Sequence, residues 1–191
     1  MNNDDPGSRP DTTQAHAQGA LRAEVVVMSG DWAARLPNHE SLAEIAALAA
    51  LSGAGRRGTD RAGSGELCVT LADDAALRDL NLRYRGKDKP TNVLAFALAE
   101  DAAPGLPEGV PQPLGDVVLS LETLEREAGE QGKSLADHFS HLVVHGVLHL
   151  LGHDHQQEGE AEVMEALEAR VLAGLGVADP YAAEKQMGGV A

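Results

Sequence analysis

The chain has 191 residues, one compact domain by the usual size of roughly 100–200 residues per domain. Its apolar share is 43% but aromatics are only 3%, so the core must be built from Leu, Val, Ala and Ile, and an aromatic platform for stacking bases is excluded. Lys and Arg number 15 against 30 Asp and Glu; the net charge of −15 excludes unaided coating of nucleic acid or anionic membrane, so a nucleic-acid role needs a local basic cluster.

Residues 1–20 are rich in Asp, Asn, Gly, Pro, Ser and Thr without periodicity and are expected to form a disordered tail. They lack the apolar stretch of a secretory signal, and no run approaches the length of a membrane span, so the chain reads as soluble and cytoplasmic. The single cysteine, Cys68, cannot form an internal disulfide and reads as a small hydrophobe in a strand. The folded domain is expected over 21–185, with a short flexible tail at 186–191.

Residues 24–28, a β-branched run before a Gly-Asp turn, predict a first strand, and the Ala- and Leu-rich 40–51 predict a helix stopped by Ser52-Gly53. Residues 53–65 carry five glycines with Arg56, Arg57 and Arg61, the composition of a mobile basic loop. Leu67, Val69 and Leu71 alternate with Glu66, Cys68 and Thr70, the period of a strand buried on one face. Asp73-Asp74 supplies cap chemistry for a helix to about residue 84, with Leu77 and Leu80 inward. The apolar run 93–98 suits a strand covered on both faces, and four prolines within 99–113 mark an irregular loop. Residues 114–119 predict another strand, after which Ser120 can cap a helix to about 131. The closing helix, about 157–175, places Val163, Leu167, Val171 and Leu175 four apart. Glu158, Glu160, Glu162, Glu165 and Glu168 fall mainly elsewhere, as a solvated acidic face. The sum is a mixed α/β (α+β) fold with a sheet of about four strands and about five helices.

Ser134 and Asp137 have the spacing of a capping box and open a helix that Gly152 should end; its residues are apolar nearly all round, so it must be central. His138, His141, His145 and His149 fall on one stripe of it. Each buried imidazole without a partner would cost about 1–3 kcal/mol, whereas a bound cation satisfies several at once. His145 and His149 present nitrogens from successive turns, and Gly152 lets the chain reverse so that a third histidine folds back. His155 suits that fold-back better than His153, which follows Gly152 directly. Three protein ligands leave one coordination position open, the mark of catalytic zinc. The H-x-x-x-H-x-x-G-x-x-H spacing is shared with metzincin proteases, but their general-base Glu is replaced here by Gly146, which argues against a protease.

Arg83, Arg85, Lys87 and Lys89 place four of the 15 cations within seven residues, a loop suited to phosphate. With this segment the chain resembles the YbeY family of bacterial endoribonucleases. The resemblance rests on residues 80–94 (LNLRYRGKDKPTNVL), on Leu114-Gly115-Asp116, on the 145–155 histidine run and on Asp179-Pro180-Tyr181. Ala95-Phe96-Ala97 stands where the family typically reads Ser-Phe-Pro, and the tail before Leu21 is extra.

The resemblance implies a single-strand-specific, metal-dependent endoribonuclease that matures the 3′ end of 16S rRNA and serves ribosome quality control. Zinc, one per chain, would sit on His145, His149 and His155. The resemblance also singles out Arg85 as important for activity, so Arg85 and His145 are the expected catalytic residues. From the residues themselves, Arg83, Lys87 and Lys89 of the cation loop are the expected substrate contacts, with His141 either a further contact or a plain helix residue. The expected partners are single-stranded precursor rRNA and the small ribosomal subunit or its proteins, with neither DNA nor membrane. Asp154 and His141 are candidate general bases, Asp154 reading more readily as a turn-capping or ligand-holding carboxylate. Two other classes stand against this one: a non-catalytic ribosome-assembly factor braced by zinc, and a metalloprotease.

Overall fold

The computed structural model describes residues 21–54, 65–98, 110–155 and 158–182. The expected tails at 1–20 and 186–191, the basic loop with Arg56, Arg57 and Arg61, and most of the proline-rich loop lie outside the described residues. The described elements follow in the order β1 (Arg22–Val27), α1 (Trp32–Arg35), α2 (His39–Gly53), β2 (Gly65–Ala72), α3 (Asp74–Arg85), β3 (Val93–Ala97), β4 (Gln112–Ser120), α4 (Leu121–Gln131), α5 (Leu135–Leu150) and α6 (Glu158–Gly174). None of the described helices is long and apolar enough to cross a membrane.

The four strands form one mixed sheet in the order β1-β2-β4-β3, with β1, β2 and β4 parallel and β3 antiparallel to β4. Strand alternation divides two cores. Leu67, Val69, Leu71, Val117 and Leu119 face the larger one, which they share with α2, α5 and α6. Ala72, Leu94 and Val118 face the smaller one, closed by Leu77 of α3. Strand β3 is one edge of the sheet, yet its side chains meet both cores, Leu94 on one face and Val93 and Ala95 on the other, which explains its unbroken apolar run. Helix α5 runs through the larger core with ten buried residues, Phe139, Val143, Val147 and Leu148 among them. It packs onto the sheet at Gly146, where an added Cβ would come within 2.5 Å of Val117 Cγ1.

One short helix is unexpected, and two local expectations are corrected. The one-turn α1 has no periodic signal; Trp32, 1% exposed, holds it by donating its indole N–H to the carbonyls of Ser29 and Ala72, both at 3.1 Å. Ser120 stands at the α4 N-cap but does not cap, because its hydroxyl donates to Asp74 Oδ1. Asp74 instead accepts from the Thr123 N–H (3.1 Å) while Glu122 accepts from the Asp74 N–H (2.8 Å), so α3 and α4 cap each other. Helix α6 buries Met164, Leu167, Val171 and Leu172, while Val163 is 53% exposed. A row four apart drifts by about 40° per step on a helix of 3.6 residues per turn, so it leaves the core side.

Candidate metal centre

Helix α5 sets its histidines one turn apart and then ends abruptly. Its Ser134 hydroxyl accepts from the Asp137 N–H (3.0 Å) to cap the start. At the other end Gly152 takes φ +81°, its N–H donates to the His149 carbonyl (3.0 Å) and the His153 N–H donates to the Leu148 carbonyl (3.0 Å). This pair of bonds is a Schellman motif, and the left-handed residue inside it turns the chain back over the last helical turn. His155 thereby returns to the two helical histidines.

The ligand atoms of His145, His149 and His155 lie within 4.8 Å of one another. The ring centroids are 4.6 Å apart for His145 and His149, 5.0 Å for His149 and His155, and 5.5 Å for His145 and His155. The Nε2 atoms of His145 and His149 approach to 3.1 Å. Two nitrogens on one tetrahedral zinc at about 2.0–2.1 Å would stand roughly 3.3 Å apart, so this spacing fits a shared ion. Burial pushes the His149 pKa down, and the charges of His145 and His155 act the same way against raising contributions from Asp154 and a hydrogen bond to the His153 backbone. That bias favours the neutral imidazole that a metal requires.

Behind this trio stands a carboxylate that the sequence reading assigns to the solvated face of α6. Glu168 is 0% exposed. His145 Nδ1 lies 2.8 Å from Glu168 Oε1, and His141 Nε2 lies 3.2 Å from Oε2. Because an ionised carboxylate only accepts, both ring nitrogens are the donors. The Tyr181 hydroxyl also donates to Oε2. Burial alone would push the Glu168 carboxyl up, but the hydrogen bonds from His141 and His145, the His145 charge and the Tyr181 bond outweigh it and hold its pKa at about 2. The signal in the sequence is that Glu168 lies between Met164, Leu167, Val171 and Leu172 on the buried stripe.

The stripe of four histidines is therefore divided. His138 finds its own carboxylate, Glu127, at 3.0 Å on α4 and needs no ion. His141 is directed at Glu168. His145 and His149 join His155.

His145, His149 and His155 line a cleft of about 680 Å³ together with Arg85, Thr91, Asn92, Gly146 and Asp154. Lys87 and Lys89 line an adjoining cavity of about 600 Å³, which also includes Arg85, Asn92 and Arg126. Arg83 and His141 line neither of these two. The loop carrying the cations is pinned from below: the Asn81 amide donates to the Lys89 carbonyl (2.7 Å) and the Asn92 amide to Glu127 (2.9 Å). Asp88 is engaged by Arg78, whose guanidinium donates to both carboxylate oxygens at 2.6 and 3.0 Å. Its charge is thus directed to α3 rather than to Arg85. Asp154 accepts from the His155 N–H (2.7 Å), the posture of a turn carboxylate.

A family model described as Endoribonuclease YbeY matches residues 38–176. Curated relatives bearing that name are similar over most of their length. The one from Parvibaculum lavamentivorans is 46% identical over 183 residues, covering 94% of this chain and 95% of the relative. That from Azorhizobium caulinodans is 50% identical over 163 residues (85% and 97%), and that from Nitrobacter winogradskyi 45% over 164 residues (86% and 84%).

Proposed function

Because the chain belongs to the YbeY endoribonuclease family, we propose that it is a single-strand-specific endoribonuclease of 16S rRNA 3′ end maturation and ribosome quality control. In this reading one zinc ion per chain is held by His145, His149 and His155. The observation that carries it is that Arg85 and the three-imidazole cluster line one cleft.

Among the described residues the cluster offers three ligands, one fewer than the four usual in structural zinc sites, and the third, His155, is solvent-exposed. This favours a reactive centre over a zinc that only braces the fold. The protease reading has no support from Gly146, whose Cβ position is taken up by Val117 rather than open to a substrate.

When bound, the ion would supply Lewis-acid polarisation of a phosphoryl oxygen. The Arg85 guanidinium, presented by the last turn of α3, is placed to pair with the non-bridging oxygens as charge accumulates on them. Lys87 and Lys89 in the adjoining cavity hold a neighbouring phosphate of the strand, with Asn92 common to both cavities. Glu168 keeps the His145 ring turned toward the cleft. Against a net charge of −15, this local basic track is what admits RNA, while the acidic body suits docking to basic ribosomal proteins of the small subunit in the cytoplasm.

Single-turnover cleavage of single-stranded RNA by the zinc-loaded protein tests this reading, with His145→Ala and Arg85→Glu beside it. The expected result is cleavage by the wild type and a loss of at least about a hundredfold in each variant. Equal rates in all three would overturn it.

A further inference from the structure

Three donors converge on one buried carboxylate at the back of the cluster: His145 Nδ1 on Glu168 Oε1, and His141 Nε2 and the Tyr181 hydroxyl on Oε2. We propose that Glu168, fixed by Tyr181 and His141, is the positioning residue that locks His145 in the tautomer carrying its proton on Nδ1, and so determines how tightly the cluster binds zinc. The inference rests on the preceding reading that His145 is a zinc ligand.

A neutral imidazole has one N–H and one lone pair, and the nitrogen facing a carboxylate must be the N–H. With Nδ1 committed to Glu168, the lone pair is forced onto Nε2, the atom that stands 3.1 Å from His149 Nε2. In the opposite tautomer Nε2 would carry a proton and could not ligate. The charge of Glu168 also makes the ring a stronger donor to a cation.

Glu168 must itself be held. It is 0% exposed, so without these partners its charge would be buried away from bulk solvent at high cost. Tyr181 reaches it from beyond α6, where Asp179 accepts the Tyr181 N–H (2.9 Å) and turns the chain back. The same carboxylate with His141 and His145 has the composition of a second cation site. The contacts at 2.8 and 3.2 Å are hydrogen-bond lengths, and three donors already occupy its two oxygens, so the arrangement reads as support for the first site.

Two measurements on the full chain test this. The first needs no variant: long-range proton–nitrogen NMR correlation of the metal-free wild type at pH 8 reads the His145 tautomer. The Nδ1–H form is expected, and the Nε2–H form overturns the proposal. The second is zinc affinity by competition with a chromophoric chelator, in wild type and Glu168→Gln, which keeps the shape and removes the charge. A loss of about 10- to 100-fold is expected; a loss of less than tenfold, with the metal-free variant folded, overturns the proposal. If the wild type itself binds no zinc, the preceding reading fails. If it binds zinc and the variant binds equally well, only the role of Glu168 fails.

Discussion

Gly146 on α5 lies so close to Val117 on β4 that a Cβ at that position would come within 2.5 Å of Val117 Cγ1 and 3.1 Å of Cγ2. The residue after the first metal-facing histidine is therefore a packing position. Gly146→Ala gains up to about 1 kcal/mol of helix propensity but forces an overpacked contact costing about 1–3 kcal/mol. A net loss of stability is expected in urea unfolding, and a variant more stable than the wild type would show that β4 gives way freely.

Glu127 links His138 of α5 to Asn92 in the cleft lining. Burial would raise its pKa, but the hydrogen bonds from His138 and Asn92 and the charges of His138 and Arg126 outweigh this and lower it below 4.5. A carboxylate with a depressed folded pKa adds stability that is fully present above its unfolded value and is lost as pH falls through the folded one. Wild type is therefore expected to be more stable than Glu127→Gln near neutral pH, with the gap closing below pH 4.5. Urea melts from pH 7 to 3 measure it, and a gap that widens on acidification would contradict the assignment.

The basic residues should separate by salt dependence. Lys87→Ala and Lys89→Ala, each removing one phosphate contact, are expected to weaken binding of single-stranded RNA and lower the slope of log K against log salt by roughly 0.7. Arg83→Ala, outside both cavities, should leave the slope unchanged. Fluorescence anisotropy over a salt series reads all three.

Chelation should loosen the site without unfolding the protein, because the larger core from Trp32 to Leu172 is held by buried apolar side chains that need no ion. The metal-free chain is expected to melt cooperatively, and zinc at a hundredfold excess over its Kd should add about 2.7 kcal/mol. Calorimetry with and without chelator checks this; loss of the transition on chelation would mark the ion as structural.

Much of this arrangement is legible in the residues themselves. The alternation of Leu67, Val69 and Leu71 fixes a strand face, and Asp73 caps α3 by accepting the Ala76 N–H at 2.9 Å. The 145-149-155 spacing around Gly152 identifies the cluster because helical pitch and one left-handed residue suffice to build it. What is not legible depends on tertiary partners. Nothing local to β3 marks it as an antiparallel edge. Asp74 caps a helix that begins 47 positions later, which no short-range pattern encodes. Glu168 escapes notice because acidic residues surround it in sequence, while only its place on the true apolar stripe puts it inside.

The central claim, one ion on His145, His149 and His155 with a position left for substrate, is tested most directly by zinc-edge X-ray absorption on protein loaded with one equivalent. Three imidazole nitrogens and one light atom from outside the chain are expected. Four protein ligands, or a spectrum unchanged in His155→Ala, would contradict it.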